Sequence, residues 1–465
     1  MALNARRDIQ SYLEVFEELP NLVALSSNTA NTTASLTPQF DIIAAGPVET
    51  AVLAAKSGAK DAANIARMID LHLSPNQVIP SQISHLPFFG GAIGIVTYGY
   101  PEQSMGIHRS VQLGCNSTVG IYNWAVIVDH SSNQHWLVGD AKLADQKWKQ
   151  LIEFLQWNDP ESVFPQKQVK QNNKSVKTRT KPRLTLKEGW QTSAHRKLYQ
   201  EQFSKTQRYI LDGDCYQVNL TRQFSAKYQG SASQAFISLS EKMGESYSAL
   251  LQLDRFTVAS FSPERFIQIH GSTVTTEPIK GTRKRSEQPD KDKLAMEELM
   301  HSAKDQAENL MIVDLMRNDL GKHCVTGSVK TLELFSIASY ANVHHLVSKI
   351  QGEILDNSLY GKLYLFLDSL PGGSITGAPK IRAMQILAEL EKHDRACYCG
   401  SLFYLSSNGN LDSNIMIRSL LFDEDNSTVY CWGGGGIVAD SNPDNEFEES
   451  YYKVSHILAA LENND

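Results

Sequence analysis

Hydrophobic and polar positions alternate with two different periods along the chain. Tyr199, Phe203 and Ile210 recur at helical spacing, so a helix is predicted there. Asp212-Gly-Asp214 then turns into the run CYQVNLTR over 215–222, which alternates like a strand. Tyr216, Val218 and Leu220 share one face of that strand, and Gln217, Asn219 and Thr221 share the other. Three polar positions facing one way either meet solvent or line a polar pocket. More strands are predicted within 249–277. A long helix is predicted over about 290–320, another over 378–391 and a last one over about 443–461. Nearer the N-terminus, FFGGAIGIVTY over 88–98 has the glycine content of a strand with close backbone neighbours, and no GxGxxG nucleotide motif. No internal repeat is visible.

At 465 residues the chain exceeds the usual size of one hydrophobic core, and 42% apolar residues suffice for a large one. The expected division is an N-terminal mixed α/β region over 1–158, a basic polar linker or loop over 159–185, and a main region over 186–465, with the two regions packing as one composite unit. A net charge of −7 argues against a general nucleic-acid binder. The linker carries lysines and arginines without interleaved aromatic residues, so it is not expected to be a nucleic-acid arm either. The first residues lack an apolar signal segment, and no run is long enough to cross a bilayer; a cytoplasmic protein without membrane contact is the expectation. Six cysteines are scattered, and Cys397-Tyr-Cys399 lacks CxxC spacing, so reduced structural thiols are expected.

The candidate chemistry lies in four places. TEPIKGT over 276–282 sets Lys280 between a proline-led approach and Gly281. Read alone, it is either an exposed basic turn, since Arg283, Lys284 and Arg285 follow, or a held nucleophile whose pKa burial lowers. Glu308 interrupts an apolar helical stretch. Glu446 and Glu449 share a face of the last helix, where acids offset the helix dipole or, with a carboxylate from another helix, hold Mg²⁺. Gly433 to Gly436 follow a strand, as a flexible hairpin or as backbone N–H groups that suit an anion. GSITGAPK over 373–380 is not a P-loop, and Lys380 is expected to open a helix after Pro379.

Together these segments resemble the chorismate-utilising enzymes. The ordered set is GDCYQVNLTRQF, FSPERFIQI, EPIKGT, ENLMIVDLMRNDLG, HHLVS, GGSITGAPKIRAMQI, YCGS, IMIRSL, GGGGIVADS and EFEESYYK, covering 190–460; PFFGGAIGIVTYGY extends it more loosely into the N-terminal region. The resemblance implies an α+β fold of two large, packed, antiparallel-rich sheets flanked by helices. It implies a chorismate site between the layers, with Mg²⁺ on Glu308 and Glu449 and with Glu446 assisting through water. Arg418 and Tyr398 would contact a substrate carboxylate, joined by backbone N–H groups around Gly434 and Gly436. His345 and Ser374 would line the ring site. Relatives that add water carry a lysine base where this chain has Gln217, so Gln217 implies an amine nucleophile.

Within the family, Lys280 marks the aminodeoxychorismate-forming branch, where anthranilate-forming relatives show alanine. The resemblance therefore implies amination of chorismate by ammonia to 4-amino-4-deoxychorismate, toward 4-aminobenzoate and folate. Lys280 would attack C2 and Glu264 would protonate the departing 4-hydroxyl. No glutaminase segment is present in the sequence, so a separate glutamine amidotransferase subunit is the expected ammonia source. The alternatives are an anthranilate-forming enzyme and a non-catalytic chorismate-binding relative.

Overall fold

The strand that opens on the polar face runs well past Arg222: Gln217–Gln229 is one continuous strand, and all of its residues from Gln217 to Arg222 are buried. The computed structural model describes residues 2–3, 9–27, 40–55, 57–74, 78–109, 112–140, 142–143, 145–157, 182–340 and 343–462. Most of the expected linker, 158–181, lies outside the described residues. Its final part is already a strand, since Thr185–Leu186 pairs with Tyr228 and Gln229.

Among the described residues two antiparallel sheets face each other, one of 13 strands and one of 10. Both draw strands from either side of the linker. The larger sheet places Val23–Ser26 beside Tyr247–Gln252, and the smaller places Gly91–Val96 beside Ser401–Ser406. The shared interior takes Ile42, Val258 and Leu421 from the larger sheet and Ile93, Ile267 and Phe403 from the smaller, all essentially excluded from water. Each such side chain contributes about 1.5–3 kcal/mol of hydrophobic stabilisation. A second core on the far side of the larger sheet includes Tyr12, Phe16, Phe236, Val454 and Ile457, from helices Ile9–Phe16, Ala232–Met243 and Pro443–Glu462.

The chain crosses between the sheets twice in places that matter. Phe256–Ser262 belongs to the larger sheet and Arg265–His270 to the smaller; Leu411–Asn414 and Ser419–Asp423 make the return crossing. The crossings are tied together by Ile415 N–H on the Glu264 carbonyl (3.1 Å) and Phe261 N–H on the Arg418 carbonyl (3.1 Å). Glu264 and Arg418 are thereby fixed at the seam.

The single helix predicted over 290–320 is two, Pro289–His301 and Ala303–Gly321. Ser302 has extended backbone geometry (φ −69°, ψ 102°), and its hydroxyl accepts the Asp305 N–H at 3.3 Å. A serine that can satisfy an orphan N–H starts a new helix more readily than it continues an old one.

Candidate active site

Lys280 sits in a β-bulge. On strand Ile279–Lys284 the register to Val343–Glu353 pairs Ile279 with Val347 and Thr282 with His345, which leaves one extra residue on the lysine strand. Gly281 absorbs it at φ +79°, and a Cβ there would meet Leu299 Cδ1 at 2.7 Å. Such a bulge re-aims a side chain out of the ladder. Lys280 Nζ donates to the Ser374 carbonyl at 2.7 Å. Burial pushes its pKa down, opposed by Glu264, Glu308 and Glu449, while Lys453 pushes the same way as burial.

Glu264 is buried at the sheet crossing and accepts the Ser374 hydroxyl at 2.8 Å. Burial raises its pKa, opposed by the Lys280 charge and by hydrogen bonds from Ser374 and the Ile279 backbone. Ser374 thus joins the two: its carbonyl takes the lysine and its hydroxyl meets the carboxyl. Asn219 Nδ2 donates to the same carbonyl at 2.8 Å. Gln217 Nε2 reaches Asn219 Oδ1 at 3.3 Å, and Gln217 Oε1 is buried without a hydrogen-bond partner. The polar strand face is buried, with Asn219 on the Ser374 carbonyl and Thr221 on Glu391.

The four glycines form the end of a strand, Thr428–Ile437, and pair with Gln217–Gln229 in register, Asn219 opposite Gly436 and Thr221 opposite Gly434. The other neighbour, Ser419–Asp423, pairs only with Thr428 to Cys431, so the glycines have one open edge. Which N–H groups use that edge follows from alternation. Asn219 N–H goes to the Thr376 carbonyl and Thr221 N–H to Glu391, both away from the glycine strand, so Gly434 and Gly436 are not hydrogen-bonded to their opposite residues. Their N–H groups therefore point to the open edge, as does the Gly434 carbonyl, which accepts Lys453 Nζ at 3.0 Å. Arg418 stands at this seam with a left-handed backbone (φ 51°) and is ion-paired to Glu245. Tyr398 stacks on Trp432 (6.0 Å, 9°), and burial holds its phenol protonated. His345 accepts or donates to Thr282 Oγ1 at 2.8 Å, and burial pushes its pKa down to about 3, so its ring is neutral.

Helix Pro443–Glu462 lies over the glycine strand, where a Cβ on Gly433 would meet the Ser450 carbonyl at 1.9 Å. Glu446 Oε2 and Glu449 Oε1 stand 2.8 and 3.7 Å from the Cβ position of Gly435, so both carboxylates converge on one point. Glu446 also accepts the Ser441 hydroxyl at 2.8 Å, and Glu449 pairs with Lys453 at 2.7 Å. Burial raises the pKa of Glu308 and Glu446; for Glu449 burial also raises it, but Lys453, Lys304 and Lys280 outweigh this and hold it low. Glu308 feels the same three lysines. Among the described residues no group of three His, Cys, Asp or Glu side chains stands close enough to hold a metal ion. The donor chemistry nevertheless fits Mg²⁺, which takes hard oxygens from one or two carboxylates and keeps waters for the rest.

The family of chorismate binding enzymes matches residues 27–459. This chain belongs to that family. Aminodeoxychorismate synthase component 1 of Escherichia coli (strain K12) is 37% identical over 462 residues, covering 97% of this chain and 95% of that protein. The Salmonella typhimurium protein of the same name is 39% identical over 440 residues, covering 91% and 90%. Anthranilate synthase component I from Streptococcus pneumoniae TIGR4 has the same fold, with a TM-score of 0.73 at 24% identity over 91% of this chain and 93% of that one.

Within this chorismate-binding enzyme, hydrogen bonds join Lys280, Glu264 and Ser374 directly, and Asn219 links Gln217 to them. Glu308 and Glu449 are joined to Lys280 through its electrostatic surroundings, and Arg418 to His345 likewise. Motif reading singled out neither Asn219 nor Lys453 as a site residue. The polar strand face pointed to the first, and the i, i+4 spacing from Glu449 to the second. A separate cavity of about 270 Å³ opens between the sheets, lined by Ser26, Tyr247, Arg265, Tyr404 and Asp412 among others, and holds none of the candidate catalytic residues. Among the described residues no helix is long and apolar enough to cross a membrane.

Proposed function

We propose that this chain aminates chorismate with ammonia to 4-amino-4-deoxychorismate through a covalent intermediate on Lys280. One observation carries the proposal: a half-buried lysine and a buried carboxyl meet on Ser374, at 2.7 and 2.8 Å, with desolvation driving the lysine toward its neutral form and the glutamate toward its acid form. The names of the relatives from Escherichia coli and Salmonella typhimurium support it. The neutral Lys280 amine attacks C2 of chorismate as the two conjugated ring double bonds shift and the 4-hydroxyl departs as water with a proton from Glu264. Ammonia then attacks C4 and the lysine leaves C2, so the amine occupies the position the hydroxyl had. The nucleophile and the acid are supplied by this chain.

Arg418, Tyr398 and the open N–H groups of Gly434 and Gly436 hold a carboxylate of the substrate, with Ser374 and His345 along the ring. Neutral His345 adds no charge there. Gln217 offers an amide at the position where water-adding relatives keep a lysine, so no base for water stands there. Glu308, Glu449 and Glu446 would hold Mg²⁺, which when bound neutralises and orients a substrate carboxylate. The ammonia comes from a glutamine amidotransferase subunit, in keeping with "component 1" in the relatives' names.

The test is product identification with chorismate, Mg²⁺ and an ammonium salt, with and without an aminodeoxychorismate lyase. The expected result is 4-aminobenzoate only when the lyase is present, and loss of amination to background in Lys280→Ala. Fluorescent anthranilate without lyase overturns the assignment. Near-native amination in Lys280→Ala overturns the covalent step alone.

A further inference from the structure

A network of buried charges lies directly behind the Lys280 acceptor. Arg395 is fully buried and its guanidinium spans three groups: Glu391, through Nε to Oε2 (3.0 Å) and Nη2 to Oε1 (2.7 Å); the Asn219 carbonyl, through Nη2 (2.6 Å); and the Ile375 carbonyl, through Nη1 (3.2 Å). It also lies over the Tyr98 ring, 4.5 Å from its centroid. Glu391 is saturated as well: Thr221 N–H (3.1 Å), Thr221 Oγ1 (2.6 Å) and Arg109 Nη1 (2.8 Å) complete its shell. Arg109 is in turn held by Glu102 at 2.8 Å, on helix Gly99–Ser104.

The two carbonyls that Arg395 grips belong to the residues flanking the site on either side. Asn219 gives its amide to the Ser374 carbonyl, and Ile375 follows Ser374 in the turn Gly373–Ile375. Two carbonyl oxygens turned into a dry interior repel each other unless a donor bridges them, and a planar fork can bridge both while keeping Glu391. A lysine, as a point charge, cannot span the three.

We propose that Arg395 is a positioning residue for Lys280: its grip on Asn219 and Ile375 fixes the Ser374 carbonyl against which the lysine amine is aimed. The inference rests on the proposed nucleophile role of Lys280, and the test separates the two. In Arg395→Lys the charge stays and the fork is lost. kcat should fall roughly 10–100-fold, the size of effect that a displacement of about 1 Å produces. The Kd of chorismate, measured by calorimetry with Mg²⁺, should stay within about threefold, because Arg395 bonds to neither Arg418 nor the glycine strand.

A loss of chorismate affinity that accounts for the whole effect would make Arg395 a merely structural residue and overturn the inference. So would native kcat in a folded Arg395→Lys. If that variant does not fold, Asn219→Ala removes the second donor to the Ser374 carbonyl without touching the buried ions; a fall in kcat at unchanged Kd supports the inference and native kcat overturns it. Native activity in Lys280→Ala instead removes the nucleophile reading, whatever Arg395 does.

Discussion

Replacing Gly436 with alanine tests whether the glycine strand and the polar strand face form one site. A Cβ at Gly436 would stand 2.0 Å from Gln217 Nε2, 2.9 Å from Asn219 Oδ1 and 3.0 Å from Gln217 Cδ. An ordinary contact needs well over 3 Å, so the Gln217 amide must move by more than 1 Å. It has little space to move into, since Gln217 is 1% exposed. Overpacking of this kind costs about 1–3 kcal/mol. The obstacle is the end of a side chain and not backbone, which sets the cost toward the lower part of that range. The assay is urea unfolding of wild type, Gly436→Ala, Gln217→Ala and the double variant. Gln217→Ala removes the obstacle, so the double variant should be more stable than the two single losses added together, by about 1 kcal/mol or more. Amination should fall in both single variants, because both disturb the same polar face. Strict additivity of the two stability losses would refute the reasoning, since it would mean that the amide and the glycine are not in contact.

Two further outcomes follow from burial of charge. Glu264→Gln should lower kcat by roughly 10²–10⁴-fold, the usual worth of a general acid; it also removes the largest influence opposing the fall of the Lys280 pKa, so an amine-specific acylating reagent should modify Lys280 faster in the variant at fixed pH, and slower modification would contradict the pairing. Burial pushes His393 down to about 4, so near pH 6 its proton binds only the unfolded chain, whose histidine titrates near 6.5; stability present above that pH is lost as pH falls toward the folded value. His393→Asn should therefore lose about 1 kcal/mol less than wild type between pH 6.5 and 5.5 in urea unfolding, with Glu102, raised to about 7 chiefly by burial, common to both; equal losses would contradict it.

Periodicity located the helices and strands around the site because their apolar faces meet large cores: Tyr199 and Phe203 are buried as their helical spacing requires, and Lys380–Leu390 starts directly after Pro379. It did not show that Ser302 breaks a helix, since a capping serine is also tolerated inside one. Nor did it show that the glycines belong to a strand: four glycines carry no side-chain alternation, and the reason for each lies in what sits opposite, such as the Ser450 carbonyl over Gly433. The two-sheet fold came from resemblance, because a sheet whose neighbours lie hundreds of residues apart leaves no local pattern. Lys280 was legible only as an alternative. Its bulge depends on the register to a strand more than sixty residues later, and that register is not written in the segment around it.

The proposed reaction needs its two groups in the protonation states opposite to their usual ones. An ordinary lysine is an ammonium at neutral pH and an ordinary glutamate is a carboxylate, which gives neither a nucleophile nor an acid. Glu264 is buried and Lys280 half-buried, and desolvation acts on both in the useful direction, down for the lysine and up for the glutamate. Their mutual attraction opposes this, as it favours the ion pair. Neutral amine and acid together carry as many protons as ammonium and carboxylate, so preparing the pair takes no net proton from solvent. Ser374 suits both forms, since its carbonyl can accept from an ammonium or an amine and its hydroxyl can meet a carboxylate or a carboxylic acid. A substrate that displaces water from the cleft raises the cost of the ion pair further, and so helps to prepare the pair for its own reaction. The unit of catalysis is then the pair, and any pKa read from a pH–rate profile belongs to both residues jointly.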